Sequence, residues 1–278
     1  MQLIKTTTKT TAVKSNSRSA DITLANVVYG CLGGCINSYC YMARYNKDKV
    51  FSYFNLDDII QSVHNWVETM PWPKKPNQVG DTYYWVDVGN ASDLCLMWKY
   101  QDWKYVFTNL LLNPKLAVTF ATTYPSVNTK EWLSLGVEGR TRVRFSLMPQ
   151  NYADVLEPNT PTIKQRIETL RSVSSEWQVH YSFAPIIYNK GWEQEYANLL
   201  QQLPNEKKHK AECIFLTLSA QQKQDLSNSI DTSFMETKNS THGGCVYRYN
   251  WQIKNYLKRR FLKLMTTHLS NVEVRYIF

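Results

Sequence analysis

The chain has 278 residues, of which 43% are hydrophobic and 20% charged, an ordinary globular composition long enough for one sizeable core. Its 32 Lys and Arg outnumber 23 Asp and Glu, a formal charge of +9 that favours polyanionic or acidic partners and serves solubility equally well. The N-terminal stretch lacks the apolar core of a signal peptide and no apolar run is long enough to cross a bilayer, so no membrane partner is expected and a cytoplasmic protein with reduced thiols is.

Residues 1–20, rich in Thr, Ser and Lys, read as a mobile arm, and 21–278 as a single domain. The β-branched run ADITLANVVYG (20–30) predicts a strand that stops at Gly30 and feeds a cysteine-bearing loop. Helical spacing follows over 55–70, with Asn55 as cap, then a Pro-rich turn over 70–81. Strands are predicted over 82–94, 115–124, 141–150, 179–188 and 211–219. Helices are predicted between them over 98–114, 160–176 and 191–203, the second with Thr160 as cap and Pro161 in its first turn. A long basic amphipathic helix (250–269) and a strand (271–278) close the chain. This alternation predicts an α/β fold: a parallel sheet curled into a partial (β/α)6 barrel, carrying a C-terminal helix and strand.

The loop VVYGCLGGCINSYCYMAR places Cys31, Cys35 and Cys40 within ten positions. Three thiolates leave a tetrahedral structural zinc site one ligand short, and the five histidines are scattered, so zinc would need a distant fourth ligand. A [4Fe–4S] cluster suits three cysteines on one loop better, because one iron then stays open to a small molecule. The glycines of CLGGC let backbone wrap such a cluster closely.

This loop resembles the cluster loop of radical S-adenosylmethionine enzymes, although the spacing here is C-x3-C-x4-C and the family pattern is C-x3-C-x2-C followed by an aromatic. Over most of its length the chain also resembles spore photoproduct lyases. The matching segments, in preserved order, are YGCLGGC, YCY, FNLDDI, SDL, TRVRFSL, LEPNTPTIKQRIE, FAPIIYNKGWEQEY and YRYNWQIKNYL. The resemblance implies that Cys31, Cys35 and Cys40 hold a [4Fe–4S] cluster and that the chain cleaves S-adenosylmethionine reductively to a 5′-deoxyadenosyl radical. By the same carry-over Tyr41 packs near the adenine, Ser92 and Ser146 lie near the bound cofactor, and Ala184 lies by the adenine or ribose. Each has a plainer reading: Tyr41 as core, Ser92 as a helix cap, and Cys95, Cys213 and Cys245 as small structural residues.

Two departures bear on the substrate. The family carries a cysteine two positions before its SD, which returns a hydrogen atom to the substrate radical; here that position is Asn90, and Cys95 would need a shifted loop to replace it. Where the family has a lysine before a tyrosine, this chain has Thr123. Some enzymes resembling spore photoproduct lyase splice peptides, excising tyramine at a Tyr-Gly site to leave an α-keto-β-amino residue. Loss of the donor thiol fits that chemistry. The expectation is therefore a lyase-type enzyme acting on a ribosomally made precursor peptide with a leader, aided by a small accessory protein. The alternatives are a DNA lesion lyase, which the basic charge suits, and a metal-binding module without catalysis.

Overall fold

The computed structural model describes residues 2–6, 13–24, 27–33, 49–89, 92–239 and 245–278. Its main sheet has the order β14-β10-β9-β8-β7-β6-β3-β2. These strands are β2 (Lys14–Ser15), β3 (Ile22–Thr23), β6 (Tyr84–Asp87), β7 (Leu116–Thr122), β8 (Thr141–Ser146), β9 (Trp177–Ile186), β10 (Lys210–Phe215) and β14 (Glu273–Ile277). From β3 to β10 spatial order follows chain order, and all pairings except β2 with β3 are parallel. Six sequential parallel strands make the half-barrel expected from the alternating pattern, with β14 added at its edge.

The helices bury apolar faces on the outside of this sheet. Helix α1 (Leu56–Glu68) buries Ile59, Ile60, Val63 and Val67, one helical face repeating every three to four residues. Helix α2 (Trp103–Leu111), capped by the Asp102 carboxylate accepting from Tyr105 N–H, buries Trp103, Val106, Phe107 and Leu110. Short helices α3 (Thr129–Leu133) and α4 (Gln150–Leu156) precede α5 (Ile163–Arg171) and α6 (Trp192–Leu200). Helix α5 starts two residues later than expected, because Thr162 and Gln165 form a reciprocal capping box. Outward strand residues, among them Val118, Phe120, Val143, Phe145, Val179 and Phe183, complete this main core.

Three local differences follow from residues the periodicity could not separate. The expected strand over 20–30 is two strands in different sheets: β3 joins the barrel, whereas β4 (Val28–Tyr29) pairs with β5 (Lys49–Tyr53). The first twenty residues, read as an arm, carry β2 and also β1 (Gln2–Thr6), which pairs in parallel with β5. The expected strand over 211–219 breaks at Leu216: β11 (Thr217–Ser219) leaves the barrel for a small antiparallel sheet with β13 (Cys245–Tyr249) and β12 (Met235–Asn239). Helix α7 (Ala220–Leu226) joins β11 to β12, and α8 (Trp251–His268) returns to β14. Among the described residues no helix is long and apolar enough to cross a membrane.

Candidate active site

The barrel lumen is polar. In β8, TRVRFS, alternate residues point to opposite faces, so Val143 and Phe145 enter the helix-covered core while Arg142 and Arg144 point inward. Asp87, Thr119, Arg142 and Gln178 lie in register across four strands. Arg144 Nη2 donates to Asp87 Oδ2 at 2.6 Å. Higher in the lumen, Glu212 accepts from Tyr276 Oη at 2.8 Å and lies 3.1 Å from His180 Nδ1 and 2.5 Å from Arg275 Nη1. Burial pushes Glu212 up, but His180, Arg144 and Arg275 outweigh it and hold the carboxyl well below its usual range. Burial and the charges of Arg142 and Arg275 keep His180 neutral, its pKa well below that of free imidazole. Three guanidinium groups thus face two carboxylates. At the base, Arg142 stacks 3.6 Å from the Trp85 ring centroid, over a small apolar plug of Ala20, Val79, Trp85 and Ala117.

At the carboxyl ends of the strands a buried carboxylate organises the mouth. Asp93 Oδ1 accepts from the N–H groups of Cys95 (3.1 Å) and Leu96 (3.3 Å). Its Oδ2 accepts from Thr123 N–H at 2.7 Å, and the Thr122 hydroxyl reaches both oxygens. Burial raises this carboxyl, and the Thr123 and Thr122 hydrogen bonds oppose the rise. Asp93 thereby ties the chain after β6 to the end of β7. Behind β8, Arg166 of α5 pairs with Glu157 at 2.8 Å and donates to the Ser146 carbonyl at 3.0 Å.

The cysteine loop joins this rim through its base. Val28 pairs with Ser52 and Tyr29 with Phe51, closing the loop two residues before Cys31. Gln101 clamps that base to the segment after β6, its side-chain amide donating to the carbonyls of Val27 (3.3 Å) and Tyr53 (2.8 Å). Cys31 is half-buried, and its Sγ accepts from Gly33 N–H at 3.4 Å. Gly33 lies against Tyr124 at the end of β7, where a Cβ would fall 2.7 Å from the phenol oxygen.

Ser92, next to Asp93, has its Oγ buried and, among the described residues, unpartnered, and Ser146 ends β8 half-buried. Ala184 lies in β9 before a cis peptide bond to Pro185. Cys35, Cys40, Tyr41 and Asn90 lie outside the described residues. Cys95 is fully buried in the apolar core, where burial and then Asp93 push its thiol well up. Sequence reading passed over Asp87, Arg142, Arg144 and His180, whose signal was the period-two placement of charge within strands otherwise buried on both faces.

A family model described as spore photoproduct lyase matches residues 2–278. The chain belongs to that family. Spore photoproduct lyase of Geobacillus sp. (strain Y412MC61) is 25% identical over 180 residues, 64% of this chain and 49% of that one. The Bacillus subtilis (strain 168) protein of the same name is 23% identical over 198 residues, 70% of this chain and 54% of that one. The chain thus spans about half the length of the curated spore photoproduct lyases it matches. Among solved structures, spore photoproduct lyase complexed with dinucleoside spore photoproduct matches with a TM-score of 0.82 at 20% identity. The match covers 99% of this chain and 82% of that one. A double mutant with bound AdoMet and dinucleoside spore photoproduct gives the same values. The family's curled, mostly parallel half-barrel is therefore the fold of this chain.

Proposed function

We propose that the chain is a radical S-adenosylmethionine lyase with a [4Fe–4S] cluster, acting on a nucleic-acid photolesion of the kind its relatives are named for. The observation that supports this reading is that β4 and β5 close the base of the cysteine-bearing segment, with Gly33 against Tyr124 at the end of β7, while the Ser92 hydroxyl at the mouth is buried and, among the described residues, unpartnered. That donor set fits the cofactors: a half-buried sulfur taking an N–H bond, glycine backbone pressed against Tyr124, and an unused hydroxyl at the mouth.

When bound, cluster and S-adenosylmethionine supply a 5′-deoxyadenosyl radical that removes a hydrogen atom from substrate. Cys31, with Cys35 and Cys40, would hold the cluster. Ser92, Ser146 and Ala184 would bind and orient the cofactor at the mouth, with Tyr41 assigned to its adenine by the family resemblance. Asp93 positions Ser92 through the adjoining backbone, and the Asp87–Arg144 pair sets the charge beneath. Residues 21–278 act as one catalytic domain in this reading.

A second reading is favoured by one departure: Asn90 stands at the family's hydrogen-donor position, and the Cys95 thiol is buried in the core. A substrate radical that is not quenched by a thiol can fragment, as peptide splicing at a Tyr-Gly site in a leader-bearing precursor requires, with an accessory protein presenting the peptide. One experiment separates the two readings. The anaerobically reconstituted protein is given S-adenosylmethionine and a reductant with either lesion-bearing DNA or a Tyr-Gly precursor peptide plus its accessory protein, and products are read by mass spectrometry. Restored thymine supports the lesion reading, and a tyramine-sized loss from the peptide replaces it. Absent S-adenosylmethionine cleavage removes both.

A further inference from the structure

At the amino-terminal end of the barrel, opposite the candidate active site, lies a cavity of about 400 Å³, a size usual for small-molecule sites. None of the residues placed at the mouth lines it. Its walls are largely apolar: Trp66 in the last turn of α1, Met70 just beyond that helix, and Tyr84 at the start of β6. Trp66 and Tyr84 meet edge to face with centroids 5.6 Å apart, and the Tyr84 hydroxyl donates to the Pro71 carbonyl at 2.7 Å, so the aromatic wall is fixed in place.

A buried charge pair completes the lining. Lys74, its side chain 1% exposed, donates to Asp21 Oδ2 at 2.7 Å and to the Tyr83 carbonyl at 2.9 Å. An ammonium has three donors, so one is left without a hydrogen-bond acceptor among the described residues, and the group lies 5.2 Å from the Tyr84 ring centroid. Burial lowers the pKa of this ammonium; Asp21 and Asp81 oppose the fall, and Arg142 adds to it. Asp21 is already matched, because Oδ2 also accepts from Trp85 N–H at 2.8 Å and Oδ1 from the Asn77 side-chain amide at 2.8 Å. Lys75, exposed and in the same lining, brings a second ammonium, so two positive charges face one negative. Aromatic walls with surplus positive charge suit a flat anion, whose ring packs on Trp66, Tyr84 and the Met70 thioether while its acid group meets the ammoniums.

We propose that this cavity binds a small aromatic carboxylic acid of one or two rings, the ring against Trp66 and Tyr84 and the carboxylate on the remaining Lys74 hydrogen and on Lys75. The site stands whichever substrate the mouth takes.

The test is isothermal titration calorimetry of the anaerobic, cluster-loaded full chain with naphthalene-2-carboxylate, and with naphthalene-2-methanol as its uncharged match. The acid should saturate one site per chain, and the alcohol should bind about tenfold more weakly. Lys75→Gln should weaken the acid about threefold and leave the alcohol unchanged, whereas Lys164→Gln on α5 should match wild type with both. A second measurement places the ligand without relying on a cavity variant. With the methionine methyls labelled with carbon-13, the acid should shift the Met70 resonance, identified by its loss in Met70→Leu, and leave the other methionines where they are. A Met70 resonance that stays put while the acid binds would overturn the proposal. So would an alcohol that binds as tightly as the acid, or no saturable binding of the acid up to about 2 mM.

Discussion

Asp93 is the carboxylate on which the mouth depends, and its two oxygens do different work. Oδ1 takes the N–H groups of Cys95 and Leu96, and Oδ2 takes Thr123 N–H at 2.7 Å. In Asp93→Ala three backbone donors lose their acceptor, whereas the Thr122 and Thr123 hydroxyls can rotate away. Each stranded donor costs roughly 1–3 kcal/mol, and water entering at the 8% exposed site recovers part of it, so a total of about 3–5 kcal/mol is expected. Asp93→Asn keeps an oxygen for Cys95 and Leu96 but sets an amide N–H2 against Thr123 N–H, costing about 2–3 kcal/mol. Urea denaturation at pH 8, followed by circular dichroism, measures both. S-adenosylmethionine cleavage by the reconstituted variants should fall in the same order, because Ser92 is displaced with the loop. An alanine variant within about 0.5 kcal/mol of wild type, or an asparagine variant worse than alanine, would refute this reasoning.

His180 is held neutral, so the folded state resists a proton that the unfolded chain takes up near pH 6.5. Its contribution is complete above that pH and is lost on acidification, by up to ~1.4 kcal/mol per pH unit, and His209 has the same sign. The wild type should therefore lose more stability than His180→Asn between about pH 7.5 and 5.5 in urea denaturation; equal losses would contradict the buried neutral imidazole. Native alkylation with iodoacetamide, mapped by mass spectrometry, should mark exposed Cys245 and spare Cys95 and Cys213, both fully buried. Labelling of Cys95 as fast as Cys245 would place its thiol in reach of the mouth. Gly33→Ala should lower cluster occupancy at an overpacking cost of about 1–3 kcal/mol, and Tyr124→Phe, which removes the atom 2.7 Å from the new Cβ, should restore much of it. No rescue would mean that the two residues do not share the contact.

The barrel was legible because its parallel strands carry apolar residues in runs, as in β7, or in alternation, as in β8, and the covering helices repeat at 3.6 residues, so Val118–Phe120 and Ile59–Val63 declare their elements locally. Boundaries failed where chemistry is not periodic. Leu24 and Val27–Val28 are equally buried, so nothing in hydrophobicity says that the chain changes sheets between them. Strand β1 pairs in parallel with β5, more than forty residues away, a long-range match that no local pattern encodes. The helix capped by Thr162 was displaced by two residues because Thr160 and Thr162 are both good caps, and only Gln165 decides between them. The cysteine loop was visible as spacing, but Asp93 was not, since a carboxylate near a strand end reads as a helix cap until its partners on β7 are known.

The polar lumen gives those charges a common reason. A barrel closed by apolar side chains would pack better and have no room for a charged cofactor. Arg142 and Arg144 instead sit where β8 could have carried two aliphatic residues, and burying them is tolerable only because Asp87, Glu212 and the Trp85 ring face them. The pairing is incomplete: among the described residues, Nε of both arginines, Thr119 Oγ1, His180 Nε2 and Ser92 Oγ are buried without partners. Donors left unsatisfied in a folded lumen are stabilised by whatever occupies it, so a polar ligand carrying a carboxylate should bind there with a net favourable charge interaction. The β8 alternation that builds the barrel wall therefore also sets the charge that its lumen presents.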